Sequence, residues 1–184
     1  MKSEKINMSK MKKIGEKEIM QEVYQLGVDL ESIKYGCAQC TIAALQKVFG
    51  IENKDIFQAA HPLSGGLGAT TEGTCGALSG GAMILGYLWG RNKEEFDKNI
   101  VNRKSESLAK QLCAKFIQEY GSCLCKDIQT KLLGRSFNFW DEKDMEAFEK
   151  AGGHEDKCPI VVAKACVWTA KIIWDRINSR PEDN

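Results

Sequence analysis

The sequence predicts an all-α fold: a compact single-domain helical bundle in which a glycine-rich loop leads into a cysteine-bearing helix. Three observations predict it. Apolar residues recur at spacings of three and four over several stretches, no stretch shows the strict alternation of a half-buried strand, and glycine or proline punctuates the ends of the periodic segments. With 184 residues the chain can bury a core and form one domain.

Residues 1–15, beginning "MKSEKINMSKMKK", read as a flexible basic tail; no apolar h-region follows the lysines, so the segment does not read as a secretory signal. The first helix spans about Lys17 to Ile33, with Ile19, Val23, Leu26 and Leu30 on one face, and Gly36 breaks the chain. A second helix begins near Cys37, carries Ile42, Leu45, Val48 and Phe49, and stops at Gly50, a residue suited to a helix C-terminus. "NKDIFQAA" makes a short third helix. "HPLSGGLGATTEG" must be a loop, and it delivers the chain to Cys75 and an apolar helix from Gly76 to Trp89. In that helix Gly76 and Gly80 form a small face that another backbone can approach.

A long amphipathic helix is expected from about Lys93 to Tyr120, with Phe96, Ile100, Leu108, Leu112, Phe116 and Tyr120 on one stripe and Gly121 ending it. A short helix from Cys125 to Leu133 follows. "SFNFWDEKD" reads as a connector with three aromatics, and a last helix opens at Pro159, a favourable first-turn residue, and runs to about Ile177. The domain is therefore expected over 16–178, with a short polar tail at 179–184.

A net charge of +1 gives no field to attract nucleic acid, so no nucleic-acid partner is expected. The most apolar run, roughly Ala77 to Trp89, is broken by glycines and is too short for a bilayer core of about 30 Å. No membrane association is expected, and the reading is a cytoplasmic protein. Eight cysteines are the compositional anomaly. In a reducing compartment that count argues for metal binding or redox chemistry rather than a disulfide framework.

The cysteines sort by position. Cys37, Cys75, Cys125 and Cys158 each sit at or just before a helix N-terminus, whereas Cys113 and Cys166 lie within helices on apolar faces, where a free cysteine behaves as a small hydrophobe. A helix N-terminus offers unpaired N–H groups and a positive dipole end, which favour an anion and lower a thiol's pKa. Four such cysteines meeting in space could hold an iron–sulfur cluster, with the glycines beside Cys75, Gly73 and Gly76, letting N–H groups reach its sulfurs.

"GCAQC" around Cys37, "GGLGATTEGTCGALSGG" around Cys75, "YGSCLCKDIQTKLLG" around Cys125 and "CPIVVAKA" at Cys158 together resemble the C_GCAxxG_C_C family. That pattern has a separated cysteine, a CGAxxG motif and two further cysteines. The resemblance covers roughly Gly36 to Trp174. It implies a small helical, cysteine-based redox module of anaerobe-type metabolism, similar to the iron–sulfur part of split-Soret-type cytochromes. The family's four cysteines carry over onto Cys37, Cys75, Cys125 and Cys158.

Cys40 and Cys123 depart from the pattern, giving "CAQC" and "CLC", and are alternate ligands; "CLC" leaves open which of Cys123 and Cys125 faces the site. Neither cysteine pair is followed by histidine, so covalent c-type haem is not expected. "CAQC" has dithiol-oxidoreductase spacing, but a helix rather than a strand precedes it, against a thioredoxin-like fold. The glycine loop lacks the Lys-Ser/Thr ending of a P-loop and is expected to wrap the cysteine site. His154 reads as a surface-loop histidine rather than a ligand, and His61 as structural though near the site. Phe137, Phe139 and Trp140 read as core rather than as a docking patch.

The first expectation is thus an electron-transfer protein with an iron–sulfur cluster, working with a redox partner protein or a second copy of the chain. Metal-free thiol–disulfide chemistry (Cys37 with Cys40, or Cys75 with a later cysteine) and a structural zinc site are the alternatives. The sequence shows no acid–base pair, and catalysis is left open.

Overall fold

A computed structural model describes residues 5–11 and 14–179. In chain order its helices are α1 (Met8–Met11), α2 (Glu16–Lys34), α3 (Cys37–Phe49), α4 (Lys54–Ala59), α5 (Gly76–Trp89), α6 (Lys93–Asp97), α7 (Lys104–Tyr120), α8 (Cys125–Leu133), α9 (Glu142–Lys150) and α10 (Cys158–Asn178). A 3₁₀ turn, His61–Leu63, opens the glycine loop, and a π-helical turn, Gly153–Lys157, leads into α10. Among the described residues the one ladder-type contact is an isolated antiparallel bridge between Thr74 and Leu124.

The core is built by α2, α3, α5, α7 and α10, and glycine sets how closely they approach. α2 buries Ile19, Val23, Gly27 and Glu31, one residue per turn, against α10. A Cβ on Gly27 would lie 2.7 Å from the Ala163 Cα, so the two backbones nearly touch there. The small face expected on α5 is real: a Cβ on Gly80 would meet the Ala38 carbonyl oxygen at 2.5 Å, and one on Gly81 would meet Thr169 Oγ1 at 2.5 Å. α5 is thereby wedged between α3 and α10, while α7 lays Leu108, Leu112, Phe116 and Tyr120 along it.

Residues 1–4 and 12–13 of the expected basic tail, and 180–184 of the C-terminal one, lie outside the described residues. Across 5–11 the chain packs on the core, with Ile6 and Met11 buried and the Asn7 N–H donating to the Phe49 carbonyl at 3.0 Å.

The structure corrects two element assignments. The single helix expected over Lys93 to Tyr120 is two, α6 and α7, because asparagines favour local hydrogen bonds over continued helix. Asn92 and Glu95 form a capping box at the start of α6, Asn99 is left-handed at φ +52°, and Asn102 Oδ1 accepts from the Lys104 N–H at 3.1 Å to start α7. Phe96 and Ile100, placed on the apolar stripe by periodicity, are consequently exposed. The connector is also shorter than expected: Asp141 caps α9 by accepting from the Asp144 N–H at 3.0 Å, and Phe148 of α9 is fully buried.

Among the described residues no helix is long and apolar enough to cross a membrane. The α2–α10 crossing makes a prediction. Gly27→Ala should lower stability by about 1–3 kcal/mol, although alanine in an open helix gains about 1 kcal/mol over glycine. Urea unfolding followed by circular dichroism reads the sign, and a more stable variant would show that the helices do not approach this closely.

Candidate functional site

Four helix starts are steered to one place by backbone that only special residues allow. Between α2 and α3 the turn is made by Tyr35 (φ +58°, ψ 173°) and Gly36 (φ +88°). For tyrosine this conformation costs on the order of 1–3 kcal/mol. It is held by a stack of the Tyr35 ring on His154 (centroids 4.2 Å apart) and by the Cys40 thiol donating to the Tyr35 carbonyl at 3.2 Å.

The glycine loop contains a left-handed run: Gly65, Gly66, Leu67, Gly68 and Ala69 all have positive φ, as does Thr71. It folds back on itself, Ala69 N–H donating to the Ser64 carbonyl at 3.1 Å and Gly73 N–H to that of Gly66 at 3.0 Å. The chain then pairs antiparallel with the segment before α8. Cys75 N–H donates to the Cys123 carbonyl and Cys125 N–H to the Gly73 carbonyl, both at 2.9 Å. The starts of α5 and α8 therefore lie side by side, and Gly66 must be glycine, since a Cβ there would sit 2.6 Å from the Cys125 Cβ.

These starts open on a cavity of about 470 Å³ whose wall includes Cys37, Cys75, Cys125 and Cys158. Cys75 and Cys125 are buried; Cys37 and Cys158 keep some exposure. Any Cβ on Gly76 would collide with the Cys37 sulfur, so that glycine makes room for a thiol from another helix. Gly73 contributes backbone pairing rather than cavity wall. Ser64, Gly65, Gly68 and Ala69 line the cavity, so the loop does enclose the cysteine site.

The remaining four cysteines lie elsewhere. Cys40 is buried beside Glu31, Cys166 is fully buried beside the Thr41 carbonyl, and Cys113 and Cys123 put their sulfurs 2.8 Å apart. "CLC" divides where the extended chain at Leu124 turns into α8: Cys125, the first helical residue, lines the cavity, whereas Cys123 puts its sulfur against Cys113 of α7. Reading Cys113 as an isolated small hydrophobe is corrected by its contact with Cys123.

His61 and His154 both line the cavity. The surface-loop reading of His154 is overturned: its side chain is only 14% exposed, lies between Tyr35 and Phe148, and brings Nδ1 within 2.6 Å of Glu149 Oε1. Phe137 and Phe139 pack edge-on against Phe148, as core residues do. Trp140 does not. It is 77% exposed at the cavity rim, its indole N–H donating to the Gly68 carbonyl at 3.0 Å.

The expected lowering of thiol pKa at helix starts is also overturned. Burial pushes Cys75 and Cys125 up to about 12, and Cys37 and Cys158 are likewise raised. Desolvation is the largest cause, and the charges of neighbouring groups add to it, Glu31 and Cys75 acting on Cys37 and Cys125 acting on Cys75. The N–H groups of Gly65 and Ala38 at Cys37, and of Ala77 and Leu78 at Cys75, pull the other way without prevailing.

Glu31 was not singled out by sequence. It is 2% exposed, lines the cavity, has no hydrogen-bond partner for Oε2, and burial raises its pKa. The available signal was a carboxylate at the fourth place of the buried series Ile19, Val23, Gly27, Glu31. Gln129, which donates to Cys125 Sγ at 3.5 Å from one turn along α8, was missed in the same way. Among the described residues no three His, Cys, Asp or Glu side chains are gathered tightly enough to hold a single metal ion.

The raised thiols predict a pH dependence. An unfolded cysteine loses its proton near about 8.5, whereas folded Cys75 keeps it to about 12. Between these values the native state binds more protons, so stability should be intact below pH 8.5 and fall as pH rises. Urea midpoints of metal-free protein from pH 7.5 to 10.5 should decline, less so in Cys75→Ser; a flat wild-type profile would show that the thiols ionise freely.

No curated protein and no solved structure matches the chain. A family model described as "Putative redox-active protein (C_GCAxxG_C_C)" matches residues 35–172, the stretch that holds all eight cysteines and all four helix starts on the cavity. The chain belongs to the C_GCAxxG_C_C family.

Proposed function

We propose that the chain is an electron-transfer protein that holds an iron–sulfur cluster in this cavity through Cys37, Cys75, Cys125 and Cys158. The observation that supports it is the presence of these four cysteines, from four separate helix starts, on the wall of one cavity. Iron–sulfur clusters are held by cysteine thiolates, and hydrogen bonds to the sulfurs tune their potentials. Backbone N–H groups of Ala38, Gly65, Ala77 and Leu78 act on Cys37 and Cys75 and suit that role.

A single tetrahedral zinc would draw four sulfurs to about 2.3 Å from one point. A cluster places several metals and sulfides between its thiolates, and the cavity of about 470 Å³ has room for one. Bound there, the cluster supplies one-electron redox chemistry. The protein binds it with four thiolates and limits water with Phe139, Phe148 and Val162 of the wall. The electron is exchanged with a partner protein, for which the exposed Trp140 ring offers a contact. Dithiol chemistry between Cys37 and Cys40 is less favoured, because Cys40 is buried and engaged with the Tyr35 carbonyl.

Protein purified without oxygen should show a broad absorption near about 400 nm that bleaches with dithionite. Single Ser substitutions at Cys37, Cys75, Cys125 or Cys158 should lower bound iron severalfold, and Cys166→Ser should not. A colourless preparation, or iron retained in all four variants, would refute the assignment.

Gly76→Ala offers a separate test. It should displace the Cys37 sulfur and reduce iron content with little loss of helical signal, whereas Gly86→Ala in the same helix, where a Cβ meets open space, should keep its iron. Equal iron in both variants would remove Gly76 from the site.

A further inference from the structure

We propose that Cys113 and Cys123 form a second redox site, a dithiol that closes reversibly to a disulfide when it meets a small-molecule disulfide. The site is distinct from the cavity, whose wall contains neither residue, and it does not depend on the cluster reading.

The pair is brought together by the end of α7. Gly121, left-handed at φ +82°, reverses the chain after Tyr120, and the chain bends at Cys123 before Leu124 bridges Thr74. Cys113 lies seven residues before Tyr120, about 10.5 Å back along a helix, and the three residues from Tyr120 to Cys123 reach back over at most about 10 Å. The two lengths are comparable, so the returning segment can bring Cys123 level with Cys113. Seven residues is also nearly two full turns, which puts Cys113 on the same side of α7 as Tyr120.

The resulting Sγ···Sγ separation is 2.8 Å, well inside a packing contact of about 3.5 Å, and Cys123 Sγ also faces the Cys113 carbonyl at 3.7 Å. Cys123 is held in place by the pairing of its own carbonyl with the Cys75 N–H. Both residues are half-buried rather than sealed, which leaves a path for a small oxidant. The other buried thiols lack this arrangement: Cys40 engages the Tyr35 carbonyl and Cys166 faces the Thr41 carbonyl.

The reaction balances as thiol–disulfide exchange. One cysteine, as thiolate, attacks a sulfur of the small disulfide RSSR and forms a mixed disulfide, releasing one RSH. The second cysteine attacks the protein sulfur of that mixed disulfide and releases the other RSH. The S–S bond of the reagent breaks, the Cys113–Cys123 bond forms, two electrons pass from the protein to the reagent, and both protons leave on the released thiols. Excess small thiol reverses each step.

The closed form ties the segment leading into α8 to α7. Because that segment also pairs with Gly73–Cys75, the disulfide braces two of the four helix starts from outside the cavity.

The test equilibrates the full-length protein, as purified and after metal removal, in mixtures of oxidised and reduced dithiothreitol. The reaction is stopped with acid, remaining thiols are alkylated under denaturing conditions, and the chain is cleaved with trypsin. Lys110, Lys115 and Lys126 place Cys113 in peptide 111–115 and Cys123 with Cys125 in peptide 116–126. Expected is a linked pair of these peptides, two hydrogens lighter than their sum, with fragmentation assigning the bond to Cys123. It should exceed any other cysteine pair at least tenfold, revert in excess reduced dithiothreitol, and vanish in Cys123→Ser. Recovery of Cys113 and Cys123 alkylated across the series, or a bond from Cys113 to Cys125, would overturn the proposal. Because the wild-type mapping decides it, a variant that fails to fold leaves the test intact.

Discussion

Four helices must begin within reach of one cavity, and the rest of the structure answers to that requirement. A helix start brings backbone, not side chain, to the front, so converging segments meet at main-chain distance and tolerate little bulk. Gly76 yields to the Cys37 sulfur, Gly66 to Cys125, and Gly73 to the Gly66 carbonyl. The left-handed run through Leu67, Ala69 and Thr71 follows from the same demand. Each such non-glycine residue costs about 1–2 kcal/mol. The strain is held by contacts from outside the loop: Trp140 to the Gly68 carbonyl, Thr71 Oγ1 with Ser136 Oγ at 3.2 Å, and the Lys126 N–H to the Thr71 carbonyl at 3.0 Å.

The electrostatics of the cavity explain why positions that ordinarily activate thiols do not do so here. Helix-start N–H groups do act on Cys37 and Cys75, but desolvation outweighs them, and each thiolate would also face the other sulfurs and the Glu31 carboxyl. Ionising this set together is unfavourable without positive charge among the sulfurs. On the proposed reading, a group carrying metal cations would remove that conflict, because coordination deprotonates thiols outright. Glu31, with one oxygen unpartnered, belongs to this argument as a second acidic group whose charge the cavity discourages.

Much of this was legible where one physical signal dominated. The ends of α3 and α5 were readable because glycine marked them, and the four cavity cysteines because each coincided with a helix start. The failures arose where two signals competed. Periodicity through Phe96 and Ile100 implied a continuous helix, while Asn92, Asn99 and Asn102 offered local hydrogen bonds that broke it. Asp141 was a readable cap, but the aromatics before it drew the whole stretch into a connector. His154, Glu31 and Trp140 were misplaced or overlooked because their settings depend on packing between α2, α9 and the π-helical turn, contacts that no local pattern encodes.

The two cysteines of "CLC" show how a single backbone decision distributes chemistry. Side chains two residues apart on an extended strand share a face, but here the chain passes from the bridge at Leu124 into α8 at Cys125, and the two side chains part. Cys125 joins a cavity shared with three other helix starts, and Cys123 meets a thiol on α7. Shifting the pairing register by one residue would turn both away from these environments. What fixes the register is not either sulfur but the hydrogen bonds of Cys75 and Cys125 across the bridge, and the Gly66 gap that accepts only the Cys125 Cβ. In "CAQC" the extra cysteine is placed by helical rather than strand geometry: Cys40 follows Cys37 by three residues along α3, yet turns to Tyr35 and Glu31. The cavity thus takes one sulfur from each motif.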